Sequence, residues 1–243
     1  MGKIGVTEQG DAALDFSWVD KLGSVAGAIV ITKELSPAFR EVLLANQERL
    51  MLHLSCTGYG RTVLEPNVPS LSQTLEQLDH LLQSGFPLER LVVRVDPIIP
   101  TEKGIATAKK VIEAMYHLGV RRIRVSVLDM YRHVQERFQR AGLPLPYGNS
   151  FQASTEQFRA LDRTLLRIMC EHPGLTIESC SEPALKVPVK VGCVGKYECD
   201  LFDVAMTDGY KQRKSCLCCG EKVELLSTKH PCAHGCLYCY WQD

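Results

Sequence analysis

The stretch "AGAIVITKELSPAFREVLLANQERLMLHLSC", residues 26–56, decides the fold class. It opens on an apolar run, "AGAIVIT" at 26–32, passes through a helical pattern from Ser36 to Glu48, and returns to a second apolar run, "RLMLHLSC" at 49–56. Runs this continuous in apolar residues are the mark of parallel strands covered on both faces. The unit repeats along the chain. A helix near 70–84 carries Leu71, Leu75, Leu78, Leu81 and Leu82 on one face, and "ERLVVRV" (89–95) precedes a helix near 102–118. "RIRVSVL" (122–128) is followed by helices flanking "GLPLPYG", the second of them near 155–171, and then by "LTIESC" at 175–180. "KVELLS" at 222–227 is a sixth strand. Strands alternating with helices predict an α/β fold with a parallel sheet.

With 243 residues, 45% of them hydrophobic, the chain can bury a full core, and it is read as a single domain over 1–243. Residues 1–25 form an N-terminal extension, and 181–221 a cysteine-rich, loop-rich insert containing Gly192, Gly195 and Gly209. No apolar run reaches the roughly 18 residues of a membrane span, and "MGKIGVTEQGDAALDF" lacks the regions of a signal peptide, so a cytoplasmic protein without membrane contact is expected. Eleven cysteines in a reducing compartment point to metal or redox chemistry before disulfides. The formal net charge is zero. No global field therefore attracts polyanions, although "RRIR" (121–124) and "KQRK" (211–214) form either local basic patches or solvated faces.

Three thiols crowd into "HPCAHGCLYCYWQD", residues 230–243, as Cys232-x3-Cys236-x2-Cys239. Three thiolates suffice for three irons of a [4Fe–4S] cube and leave the fourth iron open to a bidentate ligand. Lying after "KVELLS", they occupy the C-terminal end of a strand, where α/β barrels put chemistry. The spacing resembles the radical S-adenosylmethionine (SAM) signature. That resemblance implies that the free iron binds the amino and carboxylate groups of SAM, and that an electron from a donor such as flavodoxin or ferredoxin releases a 5′-deoxyadenosyl radical. The superfamily usually carries this signature after its first strand, near the N-terminus. With 222–227 as that first strand, the chain is a circularly permuted, partial six-stranded (β/α) barrel of radical SAM type, the strands at 26, 49, 89, 122 and 175 being its second to sixth. Neighbouring termini make such a permutation sterically reasonable.

"VITKELSP", "TGYG" with "EPNVP", "RVDPIIP", "VSVLDMY", "ESCSE" and "HGCLYCYW" together resemble the DUF1848 family, a permuted radical SAM-like group related to spore photoproduct lyase, over residues 26 to 243. The segment from Cys216 to Cys232 is longer than the family pattern, and its middle lacks the usual "DIG.Y" run. By resemblance to the "TKS" stretch of spore photoproduct lyase, Lys33 neutralises the methionyl carboxylate of SAM; the alternative is a solvated strand-end lysine. Thr57, Gly58 and Gly60 allow close backbone approach to the cofactor, or form a plain turn. Arg94 and Asp96 are the catalytic candidates, since they alternate to one side of a strand end and are costly to bury unless paired with each other or bound to ligand. Ser126 and Asp129 are candidates for ribose hydroxyls, with a strand-end cap the alternative for Asp129. Tyr238 packs by the adenine, as the motif's aromatic position implies, or belongs to the core. His230 and His234, flanking Cys232, are read as supporting or exposed groups rather than ligands.

Cys180, Cys193, Cys199, Cys216, Cys218 and Cys219 are more thiols than packing needs, and four of them could hold an auxiliary Fe–S cluster or a structural zinc; reduced, buried cysteines are the alternative. Cys56 and Cys170 are read as core. Three functions stay open: a radical SAM enzyme, a zinc module using the terminal cysteines with a histidine, and a catalytically dead scaffold. For the enzyme, resemblance to spore photoproduct lyase implies a nucleobase in DNA, with Arg121, Arg122 and Arg124 and Lys211, Arg213 and Lys214 tracking phosphates. A small metabolite or peptide is the alternative.

Overall fold

The computed structural model describes residues 2–209, 215–226 and 232–241. Its frame is one sheet of eight parallel strands: β1 (Ile4–Val6), β2 (Gly27–Thr32), β3 (Leu50–Ser55), β4 (Leu91–Ile98), β5 (Arg122–Val127), β6 (Thr176–Ser179), β7 (Val189–Lys190) and β8 (Lys222–Glu224). The spatial order is β7-β6-β5-β4-β3-β2-β1-β8, so β7 and β8 are the edges. The helices are α1 (Pro37–Ala45), α2 (Leu71–Gln83), α3 (Glu102–His117), α4 (Arg132–Arg140), α5 (Thr155–Glu171) and α6 (Lys196–Leu201). Local chemistry sets where they start. Ser36 caps α1 ahead of Pro37 at the first helical position, Thr101 caps α3, and Ser70 with Gln73 and Ser154 with Gln157 form reciprocal capping boxes on α2 and α5.

The period of two along each strand sorts residues between two faces. Ala28 and Val30, Leu50, Leu52 and Leu54, Leu91, Val93 and Val95, and Ile123 and Val125 pack with Phe39, Leu43, Leu78, Leu81, Val111, Met115, Leu165 and Ile168 of the helices. The alternate residues Ile29, Met51 and Val92 join Ile4 and Val6 in a second cluster with Val194, Cys199, Phe202, Val204 and Cys219. Residues 194–204 and Cys219 thus cover the inner face near the N-terminal ends of the strands. One residue pair further along, the same face turns polar, with His53, Arg94, Asp96, Arg124, Ser126 and Glu178. The sheet must curl, because residues at or just beyond the C-terminal ends of β1, β2, β3, β4, β5 and β6 line one cavity.

The six expected strands are all present, but the sheet has eight. Residues 1–25, expected as an extension, supply β1, which lies between β8 and β2 and pairs with both. The strand at 222–224 is therefore not a direct neighbour of β2. They also supply the fully buried Trp18, whose indole N–H donates to Ala12 O at 2.9 Å. Residues 181–221, expected as a loop-rich insert, supply β7 and α6. Three-residue "IGV" and two-residue "VK" are too short to carry a periodic signal. Ser227 of "KVELLS" lies outside the described residues. Among the described residues no helix is long and apolar enough to cross a membrane.

Candidate functional site

The cavity has a volume of about 770 Å³ and sits at the C-terminal ends of the strands, the end at which parallel sheets place their ligands. Its size is that of a small-molecule site. The terminal segment 232–241 forms one wall.

That segment is tied down at several points. Gly235, at φ +64°, turns the chain so that its N–H reaches Cys232 O at 3.1 Å, and Cys239 N–H reaches Cys236 O at the same distance. The Asn67 side chain donates to Ala233 O at 2.8 Å, and Leu237 N–H to Leu64 O at 3.0 Å. Arg137 of α4 holds Cys239 O at 2.6 Å and Trp241 O at 2.8 Å through its two terminal nitrogens. Buried His234 meets Asp11 through Nε2 at 2.9 Å, and Asp11 also accepts from the Thr32 hydroxyl at 2.7 Å and from Lys33 N–H at 2.8 Å. His230 lies outside the described residues. Held in this way, Cys232, Cys236 and Cys239 are half-buried and all three line the cavity.

Lys33, Glu65 and Tyr238 form a buried polar triangle, of which Lys33 and Tyr238 line the cavity. Lys33 Nζ donates to Glu65 Oε1 at 2.7 Å and to the Tyr238 hydroxyl at 2.9 Å, Tyr238 donates to Glu65, and Thr57 donates to the other carboxylate oxygen at 2.7 Å. Burial works against the Lys33 ammonium, but the Glu65 charge and hydrogen bond, together with Cys236 and Asp96, outweigh it and raise the lysine above its ordinary value. Burial likewise opposes the Glu65 carboxylate, and Lys33 with the hydroxyl donors overcomes it and holds Glu65 below the usual range. Tyr238 is pushed well up, by burial first and then by the Glu65 charge. Its ring packs in an apolar cluster with Tyr59, Leu128 and Phe138 while the hydroxyl faces Lys33.

Arg94 pairs with Asp96, which also accepts from the Ser126 hydroxyl; all three line the cavity. Burial disfavours both charges, yet their attraction wins, so Arg94 is raised and Asp96 lowered. Among the described residues the buried Arg94 Nε has no partner. Asp129 also lines the cavity.

Other expected positions fall elsewhere. Thr57, Gly58 and Gly60 do not line the cavity. Thr57 is 2% exposed and orients Glu65. A Cβ on Gly58 would lie 2.6 Å from the Thr107 methyl of α3, and one on Gly60 1.9 Å from Pro69 O, so the missing side chains accommodate protein rather than cofactor. The expected basic patch at 121–124 is consumed internally. Arg122 and Arg124 bond Glu178 at 2.9 and 2.8 Å and Glu198 at 3.0 and 3.3 Å, with Arg124 3% exposed. Arg121 stacks 4.2 Å over Tyr116. Lys211, Arg213 and Lys214 lie outside the described residues. Cys56 is buried as expected, but Cys170 faces solvent on α5, because the apolar stripe of that helix runs through Phe158, Leu161, Leu165 and Ile168 instead. Glu65 and Asp11 were not singled out from sequence; only "EPNVP" touched the first, and their partners are 32 and 223 residues away.

Cys180, Cys216 and Cys218 place their thiols within 4.8 Å of one another and could hold a metal ion. Among the described residues, this rather than the terminal triplet is the group so closely gathered.

Comparison with known proteins adds a family and little else. No curated protein matches the chain. Among solved structures, a mutant of the O-GlcNAc hydrolase of Thermobaculum terrenum is similar at 13% identity and a TM-score of 0.43, over 76% of this chain and 47% of that one. This chain thus spans about half the length of that structure. The family model described as "Domain of unknown function (DUF1848)" matches residues 18–241, nearly the whole chain, and the chain belongs to that family.

Proposed function

We propose that the chain is a radical SAM enzyme whose [4Fe–4S] cluster is held by Cys232, Cys236 and Cys239. The observation that carries this reading is the opening of all three thiols onto one cavity that also presents Lys33, Arg94, Asp96 and Ser126. The donor set fits a cube. The three thiols are not gathered within the 4.8 Å that encloses Cys180, Cys216 and Cys218, and a cube places its thiolates on separate irons. When bound, the cluster supplies the electron that cleaves SAM, which a donor such as flavodoxin or ferredoxin must first deliver.

The residues of this chain then have separable tasks. Lys33, kept charged by Glu65, offers its ammonium to the methionyl carboxylate. Asp96, fixed by Arg94 and Ser126, presents a carboxylate to sugar hydroxyls or to substrate. Asp11 and Arg137 hold the cysteine segment against the strand ends. For β8 to be the first strand of a permuted barrel, β1 must count as a strand inserted between it and β2, in a barrel extended to eight strands.

The geometry favours this reading over a zinc module of the terminal cysteines, whose three thiols are not gathered as closely as those of Cys180, Cys216 and Cys218. It favours a small substrate over DNA, because Arg122 and Arg124 are committed to Glu178 and Glu198 and cannot follow phosphates. Anaerobic reconstitution with iron and sulfide, followed by SAM and a low-potential reductant, tests the proposal. Cluster-dependent formation of 5′-deoxyadenosine is expected, and its absence from protein with a full cluster would overturn it.

A further inference from the structure

Four thiols outside the terminal motif converge from three chain segments. Cys180 follows β6, Cys193 follows β7, and Cys216 and Cys218 sit on the segment leading to β8. Cys180, Cys216 and Cys218 place their Sγ atoms within 4.8 Å of one another, and Cys193 Sγ lies 3.3 Å from Cys180 Sγ. Cys193 N–H donates to Cys218 Sγ at 3.1 Å, the kind of backbone donation that orients a metal-bound thiolate. The segments meet backbone to backbone. A Cβ on Gly192 would lie 2.6 Å from Leu217 O and 2.8 Å from Cys218 Cα, and Cys219 N–H bonds Val194 O at 2.8 Å. Arg124 reaches Cys193 O at 3.3 Å, and Arg94 and Lys222 are close enough to interact with the Cys193 thiol electrostatically.

We propose that Cys180, Cys193, Cys216 and Cys218 bind a single tetrahedral metal ion, zinc, separate from the terminal cluster site. The spacing selects the nuclearity. Zinc–sulfur bonds of about 2.3 Å set the thiolates of a tetrahedron about 3.8 Å apart, a spacing compatible with Cys180, Cys216 and Cys218, all within 4.8 Å of one another; Cys193, 3.3 Å from Cys180 but outside that group, closes on the others as the ion binds. A cube, with each thiolate on its own iron, needs a wider set. Four protein ligands close the coordination shell, so the ion is structural. Binding requires the four thiols to lose their protons, and the resulting dianionic centre faces Arg94, Arg124 and Lys222. Cys180, Cys193 and Cys216 line the cavity, so the ion braces the wall that they share with Ser181 and Glu182.

The test uses the full chain with Cys232, Cys236 and Cys239 all replaced by Ala, so that its outcome is independent of the terminal cluster. Zinc is expected at one per chain after gel filtration, with an X-ray absorption spectrum of four sulfurs at about 2.3 Å. Cobalt(II) added to chelator-stripped protein should give the intense bands of a tetrahedral thiolate complex. Cys216→Ser and Cys218→Ser should lose the zinc, and Cys170→Ser, at an exposed thiol, should keep it. If either serine variant fails to fold, the cobalt titration of the triple-alanine chain decides alone. Octahedral cobalt, a Cys180–Cys193 disulfide in protein purified under reductant, or iron with stoichiometric sulfide on these four residues would overturn the proposal.

Discussion

Replacing Glu65 by Gln should expose how the cavity keeps Lys33 charged. The carboxylate is 1% exposed and accepts from Lys33, Tyr238 and Thr57, while Lys33 is 16% exposed. Glutamine keeps the shape but turns a neutral amide toward a buried ammonium. Removing one partner of a buried pair costs about 3–5 kcal/mol because the other charge is stranded, and at the lower end this chain should lose about 6–12 °C in Tm. The pH dependence has a definite sign. Glu65 is depressed in the folded state, so its stabilisation is present above the ordinary carboxylate value and fades as pH falls through the folded one. Lys33 is raised, so its share is present below its ordinary value and is lost only as pH rises through the folded one. The deficit of Glu65→Gln is therefore full at neutral pH and shrinks in acid. Adding Lys33→Met should recover most of it, since no charge is then left buried. Calorimetry of wild type, both single variants and the double variant checks this. A loss below about 2 °C for Glu65→Gln, or no recovery in the double variant, would refute the reasoning.

Glu178→Gln should cost about 3–5 kcal/mol in chemical denaturation, because Arg124, 3% exposed, loses its main counter-charge. Glu224 is raised to about 6 by burial, so it favours the folded state below the ordinary carboxylate value and loses that contribution as pH rises through 6; Glu224→Gln should flatten stability over that window in a pH series of melts. Gly58→Ala, at φ +83° and against the Thr107 methyl, should cost more than about 1 kcal/mol, measured by urea unfolding.

The sheet was legible where strands are long and covered on both faces. β2, β3, β4 and β5 read as apolar runs because helices bury one face and the second cluster, or the cavity's ion pairs, the other. β1 was not legible, because "IGV" becomes a strand only through its pairing with β2 and β8, one of which arrives more than 200 residues later. The insert looked irregular because α6 is six residues long, too short for a period, although Val194, Cys199, Phe202 and Val204 pack as core. At the site, alternation along β4 was enough to set Arg94 and Asp96 on one side, and the thiol spacing was visible in itself. What sequence could not show was partnership. Glu65 on Lys33 and Asp11 on His234 are contacts made by the curl of the sheet, and Gly58 and Gly60 answer to α3 and Pro69 rather than to a ligand.

The central claim is that Cys232, Cys236 and Cys239 hold a cluster with one iron open to SAM. Electron paramagnetic resonance of the reduced, reconstituted protein tests it most directly. The expected result is a [4Fe–4S] signal that shifts when SAM is added and is missing from Cys236→Ala; a signal indifferent to SAM, or one that survives in Cys236→Ala, would rule such a cluster out.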